Sequence, residues 1–206
     1  MATAVDAKEE KFEGFGGLKI HLRSWRPAGK AKAVVAIAPG FNSHSGQYQW
    51  VAGQLVGRGY AVYAVDFRGR GLSDGERFFV NSMNEYEDDL AQAIQIAKSR
   101  EPGLATFLLG HSAGGVVSCI YTLDHQSELS GLICESFAYQ TPAPDFAIAA
   151  LKGLSHLAPH ARVLHLKNED FSRDPDRVAM LNADELIEHE TQPTKTLAEL
   201  ARADDR

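Results

Sequence analysis

The chain has 206 residues, of which 44% are apolar and 23% charged, with a formal net charge of −6. That length holds one sizeable hydrophobic core rather than two, and the acidic balance excludes a nucleic-acid partner, which requires clustered Lys and Arg. Cys119 and Cys134 lie in apolar segments and read as buried free thiols rather than a disulfide. Residues 1–11 are polar and acidic, unlike a signal peptide, and no apolar run reaches membrane-spanning length, so a soluble cytoplasmic protein is expected.

In chain order, Leu18, Ile20 and Leu22 alternate with Lys19, His21 and Arg23. This period of two predicts a half-buried strand, joined through Gly14, Gly16 and Gly17 to a strand over residues 10–13. Residues 33–38 are a short apolar run, a buried strand ending at Pro39-Gly40. The spacing of Tyr48, Val51, Ala52 and Leu55 predicts a helix closed by Gly57 and Gly59. Residues 60–65 read as the next buried strand, ending at Asp66. Ser82 and Glu85 have the spacing of a capping box, and Tyr86, Leu90, Ile94 and Ala97 continue one helical face as far as Pro102-Gly103. A strand over residues 104–109, an apolar helix over residues 115–123 and a last strand over residues 132–137 follow. The alternation predicts an α/β fold with a mostly parallel sheet covered by helices on both faces. Ligands of such sheets bind beyond the carboxyl ends of the strands, where Gly40, Asp66 and Ser112 all fall.

The segment Gly110-His111-Ser112-Ala113-Gly114 stands between the fifth predicted strand and the apolar helix. A serine at a sharp strand-to-helix turn is a nucleophile elbow: the flanking glycines let backbone crowd together, and the helix N-terminus favours an oxyanion beside the hydroxyl. Ser112 is the candidate nucleophile. A second copy of the pattern, Gly71-Leu72-Ser73-Asp74-Gly75, has no strand leading directly into it and Glu76-Arg77 after it, so Ser73 reads as part of a glycine-rich turn.

Three stretches carry a resemblance. They are Pro39-Gly40-Phe41-Asn42-Ser43-His44-Ser45-Gly46-Gln47-Tyr48, Asp66-Phe67-Arg68-Gly69-Arg70-Gly71-Leu72-Ser73-Asp74-Gly75, and the elbow itself with Gly115. In this order they resemble the monoacylglycerol lipase and lysophospholipase-like branch of the α/β-hydrolases, over about residues 12–137. The resemblance implies an α/β-hydrolase fold with a helical cap. It also implies an oxyanion hole made by the backbone N–H groups of Phe41 and Ala113, with Gly40, Asn42 and His111 close to the substrate. Pro39 stands where the family often has His, Asn42 where it often has Gly, and Arg70 where it usually has His. None of these changes removes the Phe41 N–H. Asn42 either adds a side-chain donor near the site or serves the turn.

A serine hydrolase of this kind also needs an acid and a histidine, in the chain order Ser, acid, His. After residue 137 the sequence shows neither a strand ending before an aspartate nor a histidine on a loop after one, and it reads as cap. The expectation is therefore an N-terminal part of the fold with the C-terminal strands missing, core over residues 1–138 and cap over residues 139–206. Asp and His would then come from a companion C-terminal fragment. Within the chain Asp145 is the best acid and His156, His160 and His165 are the candidate bases. His44 sits in the oxyanion loop, and His189 lies between Glu188 and Glu190 in a stretch read as solvated. His156 and His160 have the spacing of a helical zinc pair, but no glutamate follows His156 and Pro159 interrupts the helix, so neither a metal nor another cofactor is expected. The resemblance implies a serine carboxylester hydrolase acting on monoacylglycerol or lysophospholipid-like esters, with peripheral membrane contact through the apolar cap stripe Phe146, Ile148, Ala149, Leu151, Leu154 and Leu157. The alternatives are a thioesterase or peptidase, and a non-catalytic lipid- or partner-binding form.

Overall fold

The computed structural model describes residues 5–137, 140 and 143–203. The N-terminal hairpin forms as its alternation predicts: β1 (Lys8–Glu13) pairs antiparallel with β2 (Lys19–Trp25), and Gly16 and Gly17 turn between them at φ of 77° and 80°. β3 (Val34–Ala38) and β4 (Ala61–Val65) are buried along their whole length and flank α1 (Gln49–Val56) in sequence. α2 (Met83–Arg100), β5 (Thr106–His111), α3 (Ala113–Asp124) and β6 (Gly131–Glu135) complete the core.

The six strands form one mixed sheet in the order β1-β2-β4-β3-β5-β6, antiparallel at the hairpin end and parallel from β4 to β6. Alternate residues of its strands go to opposite faces. Val35, Ile37, Val62 and Ala64 pack against Ala52 and Val56 of α1 on one side. Ala36, Tyr63 and Leu108 pack against α2 and α3 on the other, through Leu90, Ile94, Val117 and Tyr121. Register sets Ala38 beside Gly110, and Gly110 beside Cys134, so the loops after β3 and β5 leave the same edge of the sheet together.

The capping box before α2 appears in altered form. The Ser82 hydroxyl accepts the Asn84 N–H (3.2 Å), but the Glu85 carboxylate accepts from the Asn81 N–H (3.1 Å) rather than from Ser82. The cysteines are free thiols with sulfurs 3.9 Å apart, yet only Cys119 is half-buried and Cys134 is exposed. Cys134 lies on β6, at the end of the sheet order, where side chains meet solvent.

Beyond residue 137 the expectation of missing C-terminal strands is corrected. After α4 (Asp145–Leu157) come β7 (Arg162–His165), α5 (Pro175–Asn182), β8 (Thr191–Pro193) and α6 (Thr194–Ala203), and β7 and β8 pair antiparallel in a small second sheet. Neither strand has a readable period: β7 is exposed throughout, and β8 is three residues ending in proline. α6 buries Ala198 and Ala201 and packs over α2, α3 and α4. The expected boundary between residues 138 and 139 lies outside the described residues. No helix among the described residues is long and apolar enough to cross a membrane.

Candidate active site

Ser112 sits between β5 and α3 with φ 52° and ψ −122°, a region an L-residue with a side chain rarely enters. Such a conformation costs about 1–3 kcal/mol and persists only where neighbours enforce it. The neighbours here are backbone and one buried hydroxyl. A Cβ on Gly114 would lie 2.2 Å from the Ala38 carbonyl oxygen, and one on Gly110 would lie 2.5 Å from the Ser118 hydroxyl. The Ser112 N–H donates to the Glu135 carbonyl (2.9 Å) and the Ser112 carbonyl accepts from Gly115 (2.9 Å), pinning both sides of the turn. Ala113 is the first residue of α3, so its N–H has no intrahelical acceptor and lies at the positive end of the helix.

The loop after β3 lies directly against the elbow. A Cβ on Gly40 would come within 2.9 Å of the Ser112 Cβ, so only glycine lets the loop approach this closely. Ser112, Phe41, Asn42 and His111 line one cavity of about 480 Å³, together with Asp170, Phe171 and Leu181. These last three come from the segment after residue 137 and carry no signal in the sequence. The Asn42 side chain donates to the Asn168 side-chain amide oxygen Oδ1 while its backbone holds φ 55°, so it serves both the turn and a side-chain contact.

Asp66 organises the loop from below. Its carboxylate accepts the Ser45 N–H (2.6 Å) and the Leu72 N–H (2.9 Å), tying the first motif to the second. Ser73 donates to the Asp66 carbonyl (2.5 Å) and accepts the His21 N–H (2.7 Å). Its hydroxyl is committed to structure, as its sequence context predicts.

The histidines are held by other partners. His44 Nδ1 accepts the Gly46 N–H (3.1 Å), which leaves the ring proton on Nε2 for the Asp184 carboxylate at 2.9 Å. Burial raises the Asp184 carboxyl, but hydrogen bonds from Gln47 and His44 outweigh it and hold the group below its ordinary value. His111 has the Tyr48 hydroxyl 2.8 Å from Nδ1 and the Glu135 carboxylate 3.2 Å from Nε2. Burial pushes the Tyr48 phenol up to about 12, so it stays protonated at neutral pH. His160 pairs with Glu76 and stacks on Phe79, His165 contacts the Glu190 carbonyl, and His156 lies near Arg202. Asp145 is exposed at the start of α4. Among the described residues, Asp145, His156, His160 and His165 are not brought together around Ser112.

Two residues escaped sequence reasoning because they lie in a polar stretch. Glu190, read as solvated, is 1% exposed, and Gln192 is fully buried. Both reach Arg70, itself 2% exposed.

The family described as serine aminopeptidase, S33, matches residues 29–206. A monoacylglycerol lipase of Mycolicibacterium smegmatis is 34% identical over 197 residues, covering 95% of this chain and 69% of the relative. The Homo sapiens monoglyceride lipase is 31% identical over 174 residues, covering 83% of this chain and 57% of the relative. A solved structure of a soluble variant of the Saccharomyces cerevisiae monoglyceride lipase superposes with a TM-score of 0.81 at 18% identity, over 99% of this chain and 69% of that one. The chain thus spans 57 to 69% of the length of these relatives. The likeness is not confined to an N-terminal part ending near residue 137, because the family match runs on to residue 206. Acids from that later region do reach the site: Asp170 lines the cavity and Asp184 holds His44. The expected companion fragment is corrected on the same ground, since one continuous chain aligns over 95% of its length and packs as a single body from β1 to α6. Elbow, sheet order and match agree: the chain belongs to the serine aminopeptidase S33 family of α/β-hydrolases and is classed by fold and family as a serine hydrolase of the lipase and esterase type.

Proposed function

We propose that the protein hydrolyses carboxylic esters of the monoacylglycerol or lysophospholipid kind through an acyl-enzyme on Ser112. The observation that carries this reading is the strained serine lining a cavity of about 480 Å³ whose wall mixes Phe41, Phe171 and Leu181 with polar groups. That size and mixture suit one acyl chain and an alcohol head. In the reaction the Ser112 oxygen attacks the ester carbonyl and loses its proton to a general base. The backbone N–H groups of Phe41 and Ala113 then hold the negative oxygen. Collapse of the tetrahedral species breaks the acyl C–O bond and expels glycerol or a glycerophosphodiester, protonated on its leaving oxygen by the base, and water then releases the fatty acid from the serine. Gly40 gives the loop its close approach, while Asn42 and His111 shape the wall beside the substrate.

The α4 face bearing Phe146, Leu154 and Leu157 is exposed, which supports peripheral contact with the lipid surface that holds such substrates. The two free thiols support a reducing compartment, the cytoplasm. The test is turnover of a monoacylglycerol and a short chromogenic ester, with fluorophosphonate labelling, beside Ser112→Ala. The variant is expected to lose at least about a thousandfold in kcat and all labelling. Turnover retained in the variant, or none in the folded parent protein, would remove the proposal.

A further inference from the structure

The Arg70 guanidinium is enclosed by groups from three other segments of the chain. Its Nη1 donates to Glu190 Oε1 (2.5 Å), Nη2 to Gln192 Oε1 (2.9 Å) and Nε to the Tyr86 hydroxyl (3.1 Å). Its central carbon lies 4.1 Å from the centroid of the Phe41 ring. Glu190 carries the contact onward: the same Oε1 accepts the Asn42 backbone N–H at 2.8 Å and the Gln192 amide as well. Phe41 is therefore fixed through its ring by Arg70 and through the following peptide by Glu190.

A buried ion pair adds little net stability, because removing two charges from water offsets most of their attraction. What this one specifies is geometry. The cation lies over an aromatic face, an arrangement that is directional in a desolvated site, and the carboxylate fixes the orientation of one peptide plane. Oxyanion donors accelerate a reaction to the extent that they are already oriented before charge develops.

We propose that Arg70 and Glu190 are positioning residues for the oxyanion loop, coupling its alignment to the docking of the segment that begins β8. The proposal rests on the assignment of the Phe41 N–H as an oxyanion donor. Neither residue touches the substrate. The pair joins residues 120 positions apart and reaches Phe41, a further 29 residues upstream of Arg70, so seating the segment around Glu190 completes the hole.

The experiment compares the parent protein with the charge-neutral double variant Arg70→Gln/Glu190→Gln and with Arg70→Lys. The double variant leaves no unpaired buried charge. Arg70→Lys keeps the charge but loses the flat contact with Phe41 and the fork to Gln192. Ester turnover is read per titrated Ser112, alongside the affinity of a boronic acid that mimics the tetrahedral oxyanion. For the double variant kcat per titrated site is expected to fall about ten- to hundredfold, with boronate affinity falling in parallel. KM is expected to stay within about twofold, because the lost interaction is made in the transition state. Arg70→Lys is expected to change kcat in the same direction by less. A smaller titratable fraction with unchanged kcat per site would show a merely structural role and overturn the proposal, as would unchanged kcat and boronate affinity in both variants. If the parent neither turns over esters nor labels at Ser112, the proposed function fails separately. Amide hydrogen exchange at Phe41 and Asn42 then decides the positioning: faster exchange in the double variant supports it and unchanged exchange overturns it.

Discussion

The elbow and the segment after residue 137 meet at one cavity but are held by opposite kinds of contact. At the elbow, position is set by exclusion: Gly40, Gly110 and Gly114 approach backbone or side-chain atoms so closely that no Cβ fits without a shift. The later segment leaves Phe146, Leu157 and Met180 exposed and anchors itself through polar groups that are fully buried, Gln192, Thr194 and Thr196 among them. Thr196 accepts the Val80 N–H and donates to the Phe78 carbonyl, both at 3.0 Å. Steric exclusion places the elbow serine by local sequence, whereas polar anchoring places a cap by pairs more than a hundred residues apart. The first arrangement is intolerant of volume and the second of lost hydrogen bonds.

The largest effect expected from this contrast is that of a single methyl group. Gly114→Ala puts a Cβ 2.2 Å from the Ala38 carbonyl oxygen and close to that of Pro39, and backbone on both sides leaves no flexible side chain to yield. Destabilisation of about 3 kcal/mol is expected, at the upper end of overpacking, with loss of Ser112 labelling as the turn opens. A Cβ on Gly153 in α4 would meet nothing within 4 Å, so Gly153→Ala is the matched control and should leave the melting temperature unchanged or raise it. Equal losses in the two variants would break the contrast.

The same contrast decides what was legible in the sequence. Volume exclusion writes itself as glycine at fixed offsets from Ser112, and full burial writes itself as apolar runs at β3, β4 and β5, so the sheet, the elbow and Ser73's structural role could all be read. Polar anchoring writes nothing comparable. Glu190 follows Glu188 and His189, and those three look alike as letters, yet Glu188 and His189 are exposed while Glu190 is buried against Arg70. β8 escaped because Thr-Gln-Pro has no alternation, and Asp170, Phe171 and Leu181 became cavity wall only through the folding of the chain around them. Arg70 was visible as an oddity in its loop, but its partner was not.

A smaller effect is expected at the joint between the two regions. Asp184 accepts from His44 and from Gln47 (3.0 Å) and is only partly exposed. Asp184→Asn keeps shape and one acceptor but removes the charge from both bonds, a loss of about 1 kcal/mol for partly exposed charge-assisted pairs. Because its pKa is held below the ordinary value in the fold, the unfolded chain takes up the proton first as pH falls. Its contribution is therefore full above the ordinary aspartate pKa of about 4 and is lost on acidification below it. The melting temperature of the Asn variant is expected to fall less steeply below about pH 4 than that of the parent. A variant that melts in parallel with the parent across that range would show that Asp184 does not carry the joint.

The smallest expected effect on stability is also the sharpest test of the cap surface. Phe146 is 78% and Leu157 86% exposed, so Phe146→Ser/Leu157→Ser removes apolar area that the folded chain does not bury. Stability should stay within about 0.5 kcal/mol of the parent, as for surface sites away from packing. Binding to phosphatidylcholine vesicles should fall, because apolar side chains entering the headgroup region supply the affinity of such a helix. Turnover of a water-soluble ester should not change, since neither residue lines the Ser112 cavity. Lower vesicle binding with unchanged soluble turnover would make α4 a lipid-facing surface separate from the catalytic machinery. Unchanged vesicle binding would leave α4 without that role. A fall of several kcal/mol would mean that these side chains are packed in solution, and the division between a tightly excluded elbow and a loosely covered cap would no longer hold.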